Sequence, residues 1–212
     1  MSSFYPIYVD LQNKPVLVVG GGAVAYRKVK TLLDHGARVR IVSPKLGAEL
    51  EELLDGEHCT WIEKEYTSED LGDAVLVFSC TEDEKVNETV ARQARDAIRL
   101  INVVDDPEKC NFIVPSILER GDLSIAVSTG GSSPIVARQI RVELEARYGD
   151  EYEKYLALLK NVRKEVKIHL TAEQKERFWA KVTDGEVLQL IKNGQLDQAK
   201  GVVENCFQSL LD

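Results

Sequence analysis

Pro15-Val16-Leu17-Val18-Val19-Gly20-Gly21-Gly22-Ala23-Val24-Ala25 decides the fold. An apolar run leads into a G-x-G-x-x-A fingerprint, and an amphipathic stretch follows it. That is the strand–turn–helix context in which such a fingerprint binds a dinucleotide. Gly20 permits the tight turn, Gly22 lets the backbone approach a pyrophosphate, and Ala25 lets helix and strand pack closely. The free N–H groups at the helix start are donors for phosphate oxygens, and Ala23 and Val24 join Gly20 and Gly22 as cofactor-binding candidates. The plain alternative is a glycine-rich turn that merely packs a βαβ unit. The position of the motif near the N-terminus, and a second β-like run at Arg38-Val39-Arg40-Ile41-Val42, favour the binding reading.

Outward from this stretch, strand and helix signals alternate as they do in a parallel sheet. Ile7-Tyr8-Val9 reads as a short strand and Tyr26 to His35 as a helix, with Val29, Leu32 and Leu33 inward and Gly36 as its stop. Leu46 to Leu54 is expected to be helical and Thr60 to Glu63 extended. Ala74 to Phe78 is a continuous apolar run, the pattern of a strand buried on both faces. A helix over Asp83 to Ala97 and a strand over Leu100 to Val104 complete this half.

After Asp105 the pattern changes. Phe112 to Leu118 and Leu123 to Ser128 read as strands joined by the turn-type linker Glu119-Arg120-Gly121-Asp122. Ser133 and Pro134 suit the N-cap and first position of a helix carrying Ile135, Ile140 and Leu144. From Asp150 onward only helical signals remain, with Thr171 and Gln174 as a capping box, Asp184 as a cap for Val187 to Lys192, and a last helix over Leu196 to Leu211. The expected architecture is α/β. A Rossmann-type nucleotide domain (1–112) is followed by a small β-plus-helix segment (113–149) and an α-helical C-terminal domain (150–212).

With 212 residues, 44% of them hydrophobic, the chain can bury one good core or one core with satellites. No run is long enough to span a bilayer. Met1 to Pro6 lacks the basic and apolar parts of a secretion signal, so a cytoplasmic location is expected. Cys59, Cys80, Cys110 and Cys206 are scattered, as reduced thiols are, and the three histidines form no ligand pair. No metal site is expected. A net charge of −8 argues against nucleic acid or an anionic membrane as partner. It also requires any anionic substrate to find a locally basic patch.

Three constellations carry candidate chemistry. In a common Rossmann site an acid about twenty residues past the glycines binds the ribose. Here that place reads Val42-Ser43-Pro44-Lys45, so Ser43, Pro44 and local backbone are the ribose candidates and Lys45 would tolerate a 2′-phosphate; the alternative is a loop that only follows a strand. Asn102-Val103-Val104-Asp105-Asp106-Pro107 puts two carboxylates past the end of a buried strand, where a base could take a proton while hydride leaves for a nicotinamide. By spacing alone it reads first as a turn. Finally, Ser128-Thr129-Gly130-Gly131-Ser132-Ser133 forms a second helix-start loop, followed by Arg138 and Arg141 on one helix face. Together they suit carboxylates, although a solvated basic face explains the arginines nearly as well. Arg27-Lys28 and Lys109 extend the positive region.

Together these stretches resemble the precorrin-2 dehydrogenase family, which occurs alone or as the N-terminal part of sirohaem synthases. The match rests on Pro6-Ile7-Tyr8 ahead of Leu17 to Lys28, on Asn102 to Asp105, on Phe112-Ile113-Val114-Pro115-Ser116, and on Ala126 to Pro134. No methyltransferase module is read in these 212 residues, so the stand-alone form is expected. The resemblance implies NAD-dependent oxidation of precorrin-2, an anionic tetrapyrrole, to sirohydrochlorin. It also implies a homodimer formed through the middle segment, and an active site in the cleft between nucleotide domain and dimer region. Asp105 becomes the candidate catalytic group, which reverses the turn reading. Ser128, Gly130, Gly131, Ser132, Arg138 and Arg141 become the substrate candidates. Some family members also insert iron at the same site, which would make ferrous iron a further substrate. The competing readings are a non-catalytic NAD(H)-sensing module and another small Rossmann dehydrogenase. The first lacks its acidic ribose contact, and the second leaves the Gly130 loop and the helical tail unexplained.

Overall fold

A computed structural model describes residues 4–211; Met1-Ser2-Ser3, part of the stretch read for a secretion signal, and Asp212 lie outside the described residues. The chain divides into two compact units, one ending at Val114 and the other starting at Pro115.

The first unit is a five-stranded parallel sheet. In chain order its elements are β1 (Pro15–Val19), α1 (Ala23–Asp34), β2 (Arg38–Ser43), α2 (Ala48–Glu51), β3 (Cys59–Glu63), β4 (Leu76–Ser79), α3 (Glu84–Asp96) and β5 (Leu100–Val103). The strand order β3-β2-β1-β4-β5 reverses direction between β1 and β4. That switch point is where open α/β sheets bind their ligands, at the carboxyl ends of the strands. The alternation of side chains splits β1 between two cores. Val16 and Val18 pack with Ala25, Val29 and Leu32 of α1, whereas Leu17 and Val19 pack with Val90, Ala91 and Ala94 of α3. Because both faces are covered, β1 is apolar throughout and β4 is apolar up to its last residue, the buried Ser79, instead of alternating.

Several boundaries shift from the sequence reading. Helix α1 begins at Ala23, directly on the glycine turn, not at Tyr26. The stretch Leu46 to Leu54 contributes only one helical turn. Tyr5, Ile7, Tyr8 and Val9 form no strand and stay exposed. Their apolar run imitates a strand, but no strand of the sheet pairs with it.

The second unit starts with an antiparallel hairpin, β6 (Ser116–Arg120) and β7 (Leu123–Val127). Arg120 pairs with Leu123, so the expected four-residue linker shrinks to the two-residue turn Gly121-Asp122, with Gly121 at φ +57°. Phe112 to Val114 are not part of the strand. Helix α4 (Pro134–Arg147) packs against both strands, yet Ala137 is its one buried residue. Ile135, Val136, Ile140 and Val142 stay exposed along it. Helices α5 (Glu151–His169), α6 (Ala172–Val182), α7 (Glu186–Lys192) and α8 (Leu196–Gln208) close around Phe178, Val182, Val187, Ala199 and Val203. Thr171 and Gln174 form the expected capping box of α6. Asp184 accepts from the N–H of Glu186, although the N-cap of α7 is Gly185.

Candidate active site

The carboxyl ends of β1, β2, β4 and β5 lie side by side, because Val19 pairs with Val42 and Ser79, and Ser79 with Val103. The residues that leave these strands therefore meet along one edge of the first unit. They are Gly20 to Gly22, Ser43 to Lys45, Cys80-Thr81 and Val104-Asp105.

The glycine turn is built by close contact. Gly20 has φ +115°, and a Cβ there would sit 2.6 Å from the Cys80 carbonyl oxygen. At Gly21 a Cβ would lie within bonding range of the Lys45 carbonyl oxygen and 2.7 Å from Ser43 Oγ. Gly22 faces open space. No side chain caps α1, and no acid stands in its first turn. Unused N–H groups at the positive end of a helix dipole, reached over a glycine without neighbours, fit a dinucleotide pyrophosphate. Residues Gly22, Ala23 and Val24 would hold it. The steric role of Gly21 is missed by the fingerprint, which asks for glycine only at its first and third positions. Three glycines in a row are the signal of a further contact.

Ser43 is buried, and its hydroxyl donates to the Lys45 carbonyl at 2.8 Å, while Trp61 Nε1 donates to the Ser43 carbonyl at 3.0 Å. These bonds fix the Ser43-Pro44-Lys45 turn beside the glycine loop. Behind β4, Ser79 Oγ donates to Asn87 Oδ1 at 2.6 Å, and Asn87 Nδ2 donates to the Thr81 carbonyl.

The paired acids after β5 have different surroundings. Asp105 lies at φ +60° and is exposed. Asp tolerates this left-handed conformation better than most residues. No hydrogen bond or ion pair engages its carboxylate among the described residues. Asp106 is a turn residue, as the following proline suggests: it caps the short helical turn Pro107–Lys109 and pairs with Lys109 Nζ at 2.6 Å. The hydrogen bond from Lys109 holds the Asp106 carboxyl below its ordinary range. Lys109 also meets Glu84 and Glu88, so its charge is compensated within this unit. Asn102 donates to the Cys110 sulfur at 3.6 Å and to the Phe112 carbonyl at 3.2 Å, which pins the chain leaving the Asp105 turn against β5. Burial pushes the Cys110 thiol up, so it remains a neutral hydrogen-bonding group.

In the second unit, the loop ahead of α4 is closed by its own side chains. Ser128 Oγ accepts from Gly130 N, and Thr129 Oγ1 both accepts from Ser133 N and donates to the Ser133 carbonyl. Ser133 caps α4 through Val136 N. Ser128, Gly130, Gly131, Ser132 and Arg138 are exposed, whereas Arg141 is partly buried and paired with Glu145. The described residues hold no group of three metal-ligating side chains. Nor do they include a helix long and apolar enough to cross a membrane.

A parallel sheet with a glycine turn at its switch point and an uncapped helix behind it defines an NAD(P)-binding protein, and residues 7–116 match the family model described as putative NAD(P)-binding. Residues 120–147 match the sirohaem biosynthesis protein central model, and residues 151–206 the sirohaem synthase dimerisation region. The chain belongs to the sirohaem synthase and precorrin-2 dehydrogenase family. It is 44% identical over 202 residues to a siroheme synthase of Actinobacillus succinogenes, covering 95% of this chain and 42% of that one. A siroheme synthase of Neisseria meningitidis is 38% identical, covering 93% and 42%. The chain thus spans about two fifths of the length of these relatives. The solved structure of SirC, a precorrin-2 dehydrogenase, superposes with a TM-score of 0.78 at 28% identity, covering 93% of this chain and all of that one.

Proposed function

We propose that this protein oxidises precorrin-2 to sirohydrochlorin with NAD, and that it works as a homodimer. The observation that carries the reading is the pairing, on one sheet edge, of an uncapped helix N-terminus behind a glycine turn with the free carboxylate of Asp105. The oxidation removes a hydride and a proton from the macrocycle. Bound NAD supplies the hydride acceptor. Asp105 takes the proton, and its place at the end of β5 is held by Asn102 and the Cys110 loop. Asp106, engaged by Lys109, serves the turn. Ser128, Ser132, Arg138 and Arg141 are the proposed contacts for the carboxylates of the substrate. Gly130 and Gly131 shape their loop with φ of +62° and +88°.

The dimer proposal rests on α4. Four large apolar residues lie open on a helix that packs on a two-stranded hairpin, and such a hairpin is marginal unless more structure covers it. The helices after it match a dimerisation region, which supports the same reading.

Anaerobic incubation with precorrin-2 and NAD, followed by the absorbance of sirohydrochlorin, tests the activity. Asp105→Asn is expected to lower the turnover rate by roughly 10²–10⁴-fold with NAD affinity unchanged. Normal turnover in that variant would remove Asp105 from the mechanism. NAD binding without any oxidation by the parent protein would instead favour a sensing module.

A further inference from the structure

One charged group at the cofactor edge has no counterpart in this mechanism. Lys28, on the inner flank of α1, is partly buried, and its Nζ lies 5.5 Å from the centre of the Phe78 ring. Helical side chains lean toward the helix N-terminus, so Lys28 reaches back toward the glycine turn. Phe78 is the penultimate residue of β4, and its ring stands edge-on to Phe112 at 5.5 Å. Two residues further on, just past the end of β4, Cys80 is the one whose carbonyl abuts Gly20. The ammonium therefore stands over β4 near its carboxyl end, on the β4 side of the switch point between β1 and β4. The opposite, β2 side is where Ser43 to Lys45 contact Gly21.

Burial lowers the pKa of Lys28 from the usual lysine value, and the neighbouring Cys80 thiol, itself pushed up to about 12 by burial, brings no negative charge at neutral pH. No hydrogen bond or ion pair from another described residue reaches Lys28. A half-desolvated cation lacking an acid is costly, and a single aromatic face offsets only part of that cost. The chain has an excess of acids, yet Lys28 has been given none of them.

We propose that Lys28 is a fixed positive charge on the nicotinamide half of the dinucleotide site, where it favours the reduced cofactor over the oxidised one. The proposal rests on the cofactor reading above. In that reading the adenosine half lies toward β2, which leaves the nicotinamide half on the β4 side. Accepting a hydride turns the cationic nicotinamide ring into a neutral one. A cation held nearby, out of bulk water, disfavours the first state and leaves the second untouched. Lys28 acts as a positioning charge; it neither gives nor takes a proton.

The test compares Lys28→Met, Lys28→Gln and Lys28→Arg with the parent, measuring dissociation constants for NAD+ by calorimetry and for NADH by its fluorescence. Circular dichroism selects the folded variants. Loss of the charge is expected to shift the preference toward NAD+, changing the ratio of the two constants by about tenfold, while Lys28→Arg keeps it within about twofold. An unchanged ratio in the folded neutral variants overturns the proposal. If both affinities are unchanged, Lys28 only packs; if both weaken equally, it acts on the pyrophosphate common to the two states. Failure of the parent to bind either dinucleotide would overturn the cofactor reading itself, and this proposal with it.

Discussion

Two glycine turns start helices in this chain, and they are built in opposite ways. Ahead of α1, Gly20 and Gly21 are held by packing, because a Cβ on either would run into the backbone of Cys80 or Lys45. The helix behind them is left uncapped. Ahead of α4, Gly130 and Gly131 touch nothing where a Cβ would stand, and they are needed only for their positive φ. There the helix is closed by Ser133, and the loop by Ser128 and Thr129. Similar composition thus yields a rigid turn with free donors in one case and a self-satisfied loop in the other. A phosphate is suited by the first, where backbone N–H groups are vacant. Any anion held by the second must be met by exposed side chains such as Ser132 and Arg138.

The largest effect is expected at Gly20. An alanine there meets a left-handed backbone, which costs about 1–3 kcal/mol, and a contact of 2.6 Å with the Cys80 carbonyl oxygen. That carbonyl cannot yield cheaply, since Cys80 N is bonded to the Val19 carbonyl at 2.7 Å. Denaturant unfolding should show a loss greater than that of any other substitution discussed here, with NAD binding lost as well. Gly131→Ala carries only the left-handed penalty, on the order of 1–2 kcal/mol, and should leave NAD affinity intact. Equal losses for the two variants would erase the distinction between packed and open turns.

The first turn was legible because its chemistry is local: strand, glycines and helix are consecutive, and each has a short-range signal. The parallel sheet was legible from the alternating βα units, whereas the order β3-β2-β1-β4-β5 was not, because a fixed crossover hand is obeyed by more than one strand order. The choice between Asp105 and Asp106 was half legible. Pro107 marks Asp106 as a turn residue, but that Lys109 occupies its carboxylate is visible only in three dimensions. The uncompensated charge of Lys28 could not be read at all, because the sequence shows Arg27-Lys28 as one basic pair on an amphipathic helix. Ile7-Tyr8-Val9 misled for the converse reason: β propensity describes a surface that fits a sheet, and no strand pairs with this segment.

The smallest effects sharpen the comparison most, because they exchange the two designs. Ser133→Ala removes the bond to Val136 N at 3.3 Å and should cost about 1 kcal/mol, whereas Ser133→Gly should cost only a few tenths. The reciprocal change is Gly22→Ser at the N-cap of α1. Gly22 has φ −93° and ψ −173°, an extended conformation open to any residue, and it faces open space. A serine there can cap α1 as Ser133 caps α4, raising stability by a few tenths of a kcal/mol. The same hydroxyl then takes up an N–H group that the first turn otherwise leaves for the pyrophosphate. Calorimetry should therefore find weaker NAD binding in a protein that is no less stable. If Gly22→Ser binds NAD as tightly as the parent, the vacancy of that helix end is not what holds the cofactor, and the contrast between the two turns loses its functional meaning.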